Sequence, residues 1–332
     1  MYALFLFFKR GRMSKKNLIV AIDLGGTKIK SGLFNIELNQ FIAKKEIETD
    51  AFSDRKKIIN KIVNLIFDLL KETNNKKNNL KGIGLGSPGI IKNNIVIGNA
   101  ENFKNWNGTN IEKELKKYFD IEIIADNDVN VAVTGELFFG NAKNKKNVFM
   151  FTLGTGIGGG IIINKKLYTG AIGAAGEVGH LIIIPEGKEC SCGKKGCWEA
   201  YCSATGLKNI ILDFIKDKKN TVFHKFTNND LNKLEAKHLF DAIKQNDELA
   251  NQILDIYVYY LSIGLGSCIN ILNPELVLIG GGISKSYHLF EKLLLNKIKK
   301  FALPIPLKKC KIKKAKLLND AGIYGAVSLF LQ

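Results

Sequence analysis

Leu18-Ile19-Val20-Ala21-Ile22-Asp23-Leu24-Gly25-Gly26-Thr27-Lys28 is an apolar run that ends on an acidic residue and breaks at two glycines. A short apolar run closed in this way reads as a buried strand entering a tight turn. Lys30 to Phe34 reads as its hairpin partner. The same order returns later. Val148 to Leu153 is a second apolar run, Gly154-Thr155-Gly156-Ile157-Gly158-Gly159-Gly160 breaks it, and Gly160 to Ile163 pairs back through Asn164-Lys165. Two stretches that begin alike predict two related halves facing each other across a cleft, a common place for a ligand.

The elements around these stretches alternate. Ser53 is predicted to cap a helix whose apolar face is Ile58, Ile62, Leu65, Ile66 and Leu69. Asn74 to Asn79 reads as a polar loop, Gly82 to Gly86 as a glycine-rich strand, and Pro88-Gly89 as a turn. Ile121 to Ala125 reads as a strand, with a helix starting near Asp128. Residues 216–232 are polar and read as a surface excursion. Leu249, Ile253, Ile256, Tyr260 and Leu261 mark a long helix, and Leu276 to Ile279 a buried strand. Strands alternating with helices indicate an α/β protein, and 332 residues suggest two domains.

Composition removes several classes. Hydrophobic content of 46% and charged content of 24% are ordinary for a globular chain with a sizeable core. The net charge of +18 raises a nucleic-acid or membrane partner. Arginine, however, occurs only at Arg10, Arg12 and Arg55, and the lysines are scattered among asparagines, so solvated lysines with neither partner are the reading adopted. No uninterrupted apolar run approaches the roughly 20 residues that span a bilayer. Met1 to Phe8 is apolar but its charges follow rather than precede it, unlike a secretory signal. Met13, followed by Ser14-Lys15-Lys16 and a strand, reads as a cytosolic start with residues 1–13 as an upstream extension.

The glycine turns carry the first chemistry. Glycines let backbone N–H groups approach phosphate oxygens closely. In the first turn Gly25 and Gly26 do this, Thr27 adds a hydroxyl and Lys28 a charge, and Asp23 could hold Mg²⁺ directly or through water. The string is neither of the two common phosphate-binding glycine motifs. Gly154, Thr155 and Gly156 repeat the arrangement, so two turns could close on one polyphosphate. Gly280-Gly281-Gly282 would allow close approach of a nucleoside, or simply make a tight strand-to-helix turn. Asp128, between a strand and a helix, reads either as a helix cap or as a general base.

Six cysteines occur, and Cys190, Cys192, Cys197 and Cys202 fall in one short stretch. With no export signal, that clustering suggests metal rather than disulfides. Cys190-Ser191-Cys192-Gly193-Lys194-Lys195-Gly196-Cys197-Trp198-Glu199 follows Gly176-Glu177-Val178-Gly179-His180. Three thiolates and a histidine make a closed tetrahedral zinc site, although spacing leaves Cys202 as a rival to His180. Glu177 and Glu199 flank the loop and suit a polyhydroxyl ligand.

These pieces resemble the ROK family of bacterial-type glucokinases, N-acetylhexosamine kinases, fructokinases and sugar-responsive repressors. The resemblance runs from about Asn17 to Asp320-Ala321-Gly322, and is most specific from Gly176 through Glu199. It implies the two-lobed actin-like, ribonuclease-H-like sugar-kinase fold, with a small lobe at 14–125, a large lobe at 126–319, and 320–332 packing back on the small lobe. It implies that the Asp23–Lys28 and Gly154–Gly156 turns hold ATP phosphates and that Gly280, Gly281 and Gly282 lie by the adenosine. Asp128 becomes the catalytic base, and Asn102, Asn127, Glu177, His180 and Glu199 become sugar contacts. His180 is chosen over Cys202 as the fourth ligand, with Cys190, Cys192 and Cys197, binding structural Zn²⁺ through one nitrogen and a sugar hydroxyl through the other. A homodimer is also implied. One segment departs from the family: Glu101-Asn102-Phe103-Lys104-Asn105-Trp106 lacks the two prolines often found there.

The expected activity is therefore cytoplasmic, ATP-dependent phosphorylation of a hexose hydroxyl. Glucose is favoured, on length and on Asn319-Asp320-Ala321-Gly322, with N-acetylmannosamine, N-acetylglucosamine and fructose as alternatives. A sugar-sensing regulator would carry a helix-turn-helix domain before the first glycine turn, and Asp23 arrives almost at once. A non-catalytic sugar-binding protein is disfavoured by Asp23, Asp128 and both intact turns.

Overall fold

A computed structural model of the protein describes residues 16–100 and 103–331. The expected upstream extension at 1–13 and Asn102 lie outside the described residues. The described chain divides into two units, one running to Asp128 and resuming at Ala326, the other covering Val129–Gly325.

In the first unit β1 (Leu18–Leu24), β2 (Lys28–Asn35) and β3 (Gln40–Glu48) form an antiparallel meander. The buried run of β1 reflects cover on both faces. β4 (Leu80–Ser87) lies parallel to β1. A ribbon of β5 (Ile90–Lys92) and β6 (Ile95–Gly98) follows, and β7 (Glu122–Asn127) lies parallel to β4. The sheet order is β3-β2-β1-β4-β7. Helix α1 (Arg55–Glu72) buries Ile58, Ile62, Leu65, Ile66 and Leu69, and α2 (Ile111–Lys116) buries Ile111 and Leu115 in the same core. Ser53 does not cap α1. Asp54 does, accepting the Lys56 N–H at 2.9 Å, while the Ser53 hydroxyl donates to the Asp50 carbonyl at 2.6 Å.

The second unit is entered through α3 (Asp128–Phe139). Its sheet repeats the first: β8 (Val148–Leu153), β9 (Ile157–Ile163) and β10 (Lys166–Leu167) are an antiparallel meander, and β11 (Leu276–Gly280) and β12 (Lys311–Lys314) are parallel to β8 and to each other. The order β10-β9-β8-β11-β12 matches the first sheet strand for strand. The repeated strand–glycine turn–strand pattern is therefore the trace of a repeated topology.

Among the described residues the further helices of this unit are α4 (Trp198–Cys202), α5 (Ala204–Ile215), α6 (Val222–Phe226), α7 (Lys237–Lys244), α8 (Glu248–Leu272), α9 (Tyr287–Lys297) and α10 (Pro304–Lys309), and α11 (Ala321–Ser328) begins in it and ends in the first unit. The expected surface excursion at 216–232 contains α6, because Phe223 is buried in the core and anchors an otherwise polar segment. Helix α8 is long and apolar enough to cross a membrane by length and composition. In the fold it is a core helix, with Ile253, Leu254, Tyr257, Val258, Leu261 and Leu265 buried.

The division between units falls inside helices, after Asp128 and after Gly325. Within the second unit, the buried carboxylate of Glu136 fixes α3 by accepting the N–H groups of Leu317 at 2.6 Å and Asn141 at 2.7 Å. Within the first, the end of α11 lies directly on β4. A Cβ on Gly84 would fall inside the carbonyl of Ala326, which is backbone and cannot swing away. Gly98, by contrast, has open space where a Cβ would go. Gly84→Ala is therefore expected to destabilise by about 1–3 kcal/mol, and Gly98→Ala by far less, as read by thermal or urea melts of the two variants.

Candidate active site

The C-terminal edge of the first sheet gathers the early motifs. Asp23 on β1 is in register with Gly86 on β4, and Gly86 with Asp126 on β7. Asp23 and Asp126 thus stand level, two strands or roughly 10 Å apart. Asn127 ends β7, its side-chain amide donating to the Gly89 carbonyl at 3.0 Å. Asp128 follows as the first residue of α3 and is half-buried. Carboxyl ends of parallel strands are the usual ligand edge of α/β sheets. Trp106, which survives in the departing segment, is buried and donates to the Ser87 hydroxyl at 2.9 Å, tying that segment to the end of β4.

The first glycine turn joins β1 to β2, closed by the Gly25 N–H donating to the Lys28 carbonyl at 3.0 Å. Gly26, Thr27 and Lys28 are exposed. The Lys28 ammonium pairs with Glu46 on β3, and hydrogen bonding to that carboxylate raises its pKa. The buried Thr49, just past β3, takes hold of the turn from behind: its hydroxyl donates to the Gly25 carbonyl at 2.6 Å and its N–H to the Thr27 carbonyl at 2.8 Å.

In the second unit, the turn after β8 is built alike. The Gly154 carbonyl accepts the Ala204 N–H at 2.7 Å, and the Thr155 carbonyl accepts the Thr205 hydroxyl at 3.5 Å. Both donors come from the start of α5, where Ser203 caps the helix by accepting the Gly206 N–H. Gly280 ends β11, the parallel neighbour of β8, and Gly281 has φ +79°. A Cβ on Gly281 would meet the Leu153 backbone at 2.5 Å, so the third glycine turn sits against the second and only glycine fits there.

Glu199 connects this edge to the cysteine loop. One carboxylate oxygen accepts the Ile157 N–H at 2.8 Å, and the other accepts the Ser191 hydroxyl at 3.2 Å. The loop carrying Glu177 and His180 is laid on β9, where a Cβ on Gly179 would fall inside the Ile157 carbonyl. The two nitrogens of His180 face different groups: Nδ1 is 3.7 Å from the Cys190 sulfur and Nε2 is 3.8 Å from the Glu177 carboxylate.

The ligand atoms of His180, Cys190, Cys192 and Cys197 all lie within 4.8 Å of one another. A tetrahedral ion with bonds of roughly 2.3 Å to sulfur sets sulfurs about 3.8 Å apart, and the Cys192 and Cys197 sulfurs are 3.7 Å apart. Burial, together with the neighbouring Cys192 and Cys190 thiols, pushes Cys197 up to about 12. A cation held there would favour the thiolate, the proton leaving to solvent. Donor set and spacing both fit a closed Cys₃His ion site. Cys202 takes no part: it is fully buried near the Tyr257 carbonyl, and burial pushes its thiol well up.

With this geometry in view, the likeness to known proteins is specific. The description of the ROK family matches residues 19–332. The chain belongs to the ROK family. A relative from Halalkalibacterium halodurans named glucokinase is 35% identical, covering 92% of each chain. Another from Thermotoga maritima, also named glucokinase, is 33% identical, covering 94% of this chain and 96% of its own. The crystal structure of a ROK family glucokinase from Streptomyces griseus in complex with glucose and AMPPNP superposes with a TM-score of 0.79 at 26% identity, over 94% of this chain and 98% of that one. The two sheets of matching order are those of the actin-like sugar-kinase fold.

Sequence reasoning passed over Thr49, Ala204 and Thr205. None sits in a glycine motif, and a lone threonine beyond a strand carries no signal until the strand is folded back. Cobalt(II) added to chelator-treated ROK protein is expected to give the intense visible absorption of a tetrahedral thiolate site. Cys192→Ser should abolish that band and Cys202→Ser should leave it.

Proposed function

We propose that this chain transfers the γ-phosphoryl group of ATP to a hexose hydroxyl, most favourably making glucose 6-phosphate. The observation that carries this reading is the pair of like-built glycine turns, each at the carboxyl edge of its sheet with its carbonyls tied back. The two curated relatives named glucokinase support glucose as the sugar. An N-acetylated hexosamine or fructose would use the same kinds of contact, and an ADP-release screen over hexoses separates them.

The residues take the following roles. Gly26, Thr27, Thr155 and Gly156 offer N–H and hydroxyl donors to the phosphates, Gly25 and Gly154 close the two turns with their own N–H groups and let the anion approach closely, and Lys28 adds charge at the rim. Gly280, Gly281 and Gly282 leave room for the adenosine. Asn127, Glu177, His180 and Glu199 hydrogen-bond sugar hydroxyls, as does Asn102. Asp128 accepts the hydroxyl proton as that oxygen bonds to phosphorus and the bond from phosphorus to the bridging oxygen of the leaving ADP breaks. Mg²⁺, which Asp23 would hold directly or through water, neutralises charge on the phosphate oxygens when bound. Cys190, Cys192, Cys197 and His180 would hold structural Zn²⁺, which supplies no open coordination position and so acts by fixing the loop. His180 Nε2, on the Glu177 side, would be left for a sugar hydroxyl. A cytoplasmic homodimer, with no nucleic-acid or membrane partner, completes the reading; family resemblance supports the dimer, and the scattered lysines support a solvated surface.

Asp128→Asn is expected to bind sugar normally but to lose about 10²–10⁴-fold in turnover. Near-wild-type turnover in that variant would remove Asp128 from the role. Elemental analysis of the same preparation is expected to find about one zinc per chain, retained by Asp128→Asn and lost from Cys197→Ala.

A further inference from the structure

Each peptide group is planar and trans, so its C=O and N–H point in opposite directions. The Gly25 carbonyl is taken by the Thr49 hydroxyl, at 2.6 Å, and therefore the Gly26 N–H points away from Thr49. The Thr27 carbonyl is taken by the Thr49 N–H, at 2.8 Å, and therefore the Lys28 N–H points away as well. One buried residue thus fixes two peptide planes of an exposed, glycine-rich turn. Peptides flanked by glycine rotate with little steric resistance. If the Gly25–Gly26 plane rotated, a carbonyl dipole would face the anion in place of an N–H.

Thr49 is itself held firmly. Its own carbonyl accepts from the Lys61 ammonium on α1 at 3.1 Å, and the Glu48 carbonyl accepts from the same group at 3.0 Å. The side chain is fully buried, so it cannot itself reach a ligand. The second turn is secured on the same principle by the Ala204 N–H and the Thr205 hydroxyl.

We infer that Thr49 is a positioning residue for nucleotide binding: its hydroxyl holds the Gly25–Gly26 peptide with the N–H toward the ATP phosphates. This rests on the reading of the first glycine turn as an ATP-phosphate turn. The role is distinct from that of Thr27, whose hydroxyl is exposed and would touch phosphate.

The test compares Thr49→Val, which keeps the shape and removes the donor, with Thr49→Ser, which restores it, in the full-length chain. One lost hydrogen bond is worth about three- to tenfold in an equilibrium. Thr49→Val is expected to raise KM for MgATP by about that factor, to leave KM for glucose within about twofold, and to be rescued by Thr49→Ser. An unchanged KM for MgATP overturns the inference, and so does an equal rise in both KM values or a failure of serine to rescue. If Thr49→Val does not fold, the Ser and Ala variants differ in the same hydroxyl and must show the same split. Thr27→Val run in parallel separates the two readings. A raised KM for MgATP in Thr27→Val with none in Thr49→Val sinks the positioning role alone; no rise in either sinks the phosphate turn as well.

Discussion

A turn that binds a polyphosphate has to show N–H groups to the anion and keep its carbonyls off it. Glycine gives the close approach and, by the same freedom, gives no preference for which way each peptide plane faces. Bonds within each turn, Gly25 N–H to the Lys28 carbonyl and Gly154 N–H to the Gly156 carbonyl, fix part of that orientation, and donors outside the turn fix the remaining carbonyls. In the first unit they come from Thr49, at the end of the strand that pairs with the turn's own strand, so the β3-β2-β1 order brings the clamp to the turn. In the second they come from the start of α5, where the cap at Ser203 leaves the next residues, Ala204 and Thr205, at the turn. The rest of each sheet edge is arranged around these two fixed turns.

In the second unit the same turn is also bound to the cysteine loop. Glu199 accepts the Ile157 N–H, just after the turn, and reaches the Ser191 hydroxyl between two of the cysteines. Gly176 has φ +96° and, like Gly179, lies where any Cβ would enter the β9 backbone. Such close backbone contact leaves little slack, so order imposed at the Cys₃His corner is passed to Glu177, His180 and the turn as position. The structural ion proposed above would hold so polar and glycine-rich a segment in one shape.

What could be read from sequence was local. A buried apolar strand broken by glycines is a short-range pattern, and so both hairpins, the Asn164-Lys165 return and the helix starting at Asp128 are present in the fold. Three cysteines within eight residues name their own chemistry, and their sulfurs do gather. The choice between His180 and Cys202 was not local. Cys202 is nearer the cluster in sequence, but it lies in α4 with its thiol in the core beside Tyr257, a matter of which way one helical turn faces. Ser53 and Asp54 are both good caps, and only the entry of the chain into α1 decides between them. Residues 216–232 looked wholly polar because one phenylalanine, Phe223, is enough to anchor a short helix. Thr49 had no legible signal, since its partners lie 24 and 22 positions away across a sheet.

The placement of Lys28 bears on how the anion's charge is met. With its ammonium on Glu46, Lys28 already has a carboxylate partner, although the pair is exposed and so weakly held. Other lysines are likewise engaged at the surface, Lys45 with Glu72 and Lys57 with Asp50. The surplus of 49 basic over 31 acidic side chains is spread over the chain. At physiological salt such charges are screened beyond about 8 Å. A diffuse positive field of that kind raises the rate at which an anionic nucleotide arrives more than it fixes the nucleotide in place. On the proposed reading, discrimination among anions falls to short-range donors whose directions are set: the backbone N–H groups of the two turns, with the few side chains that keep their carbonyls turned away.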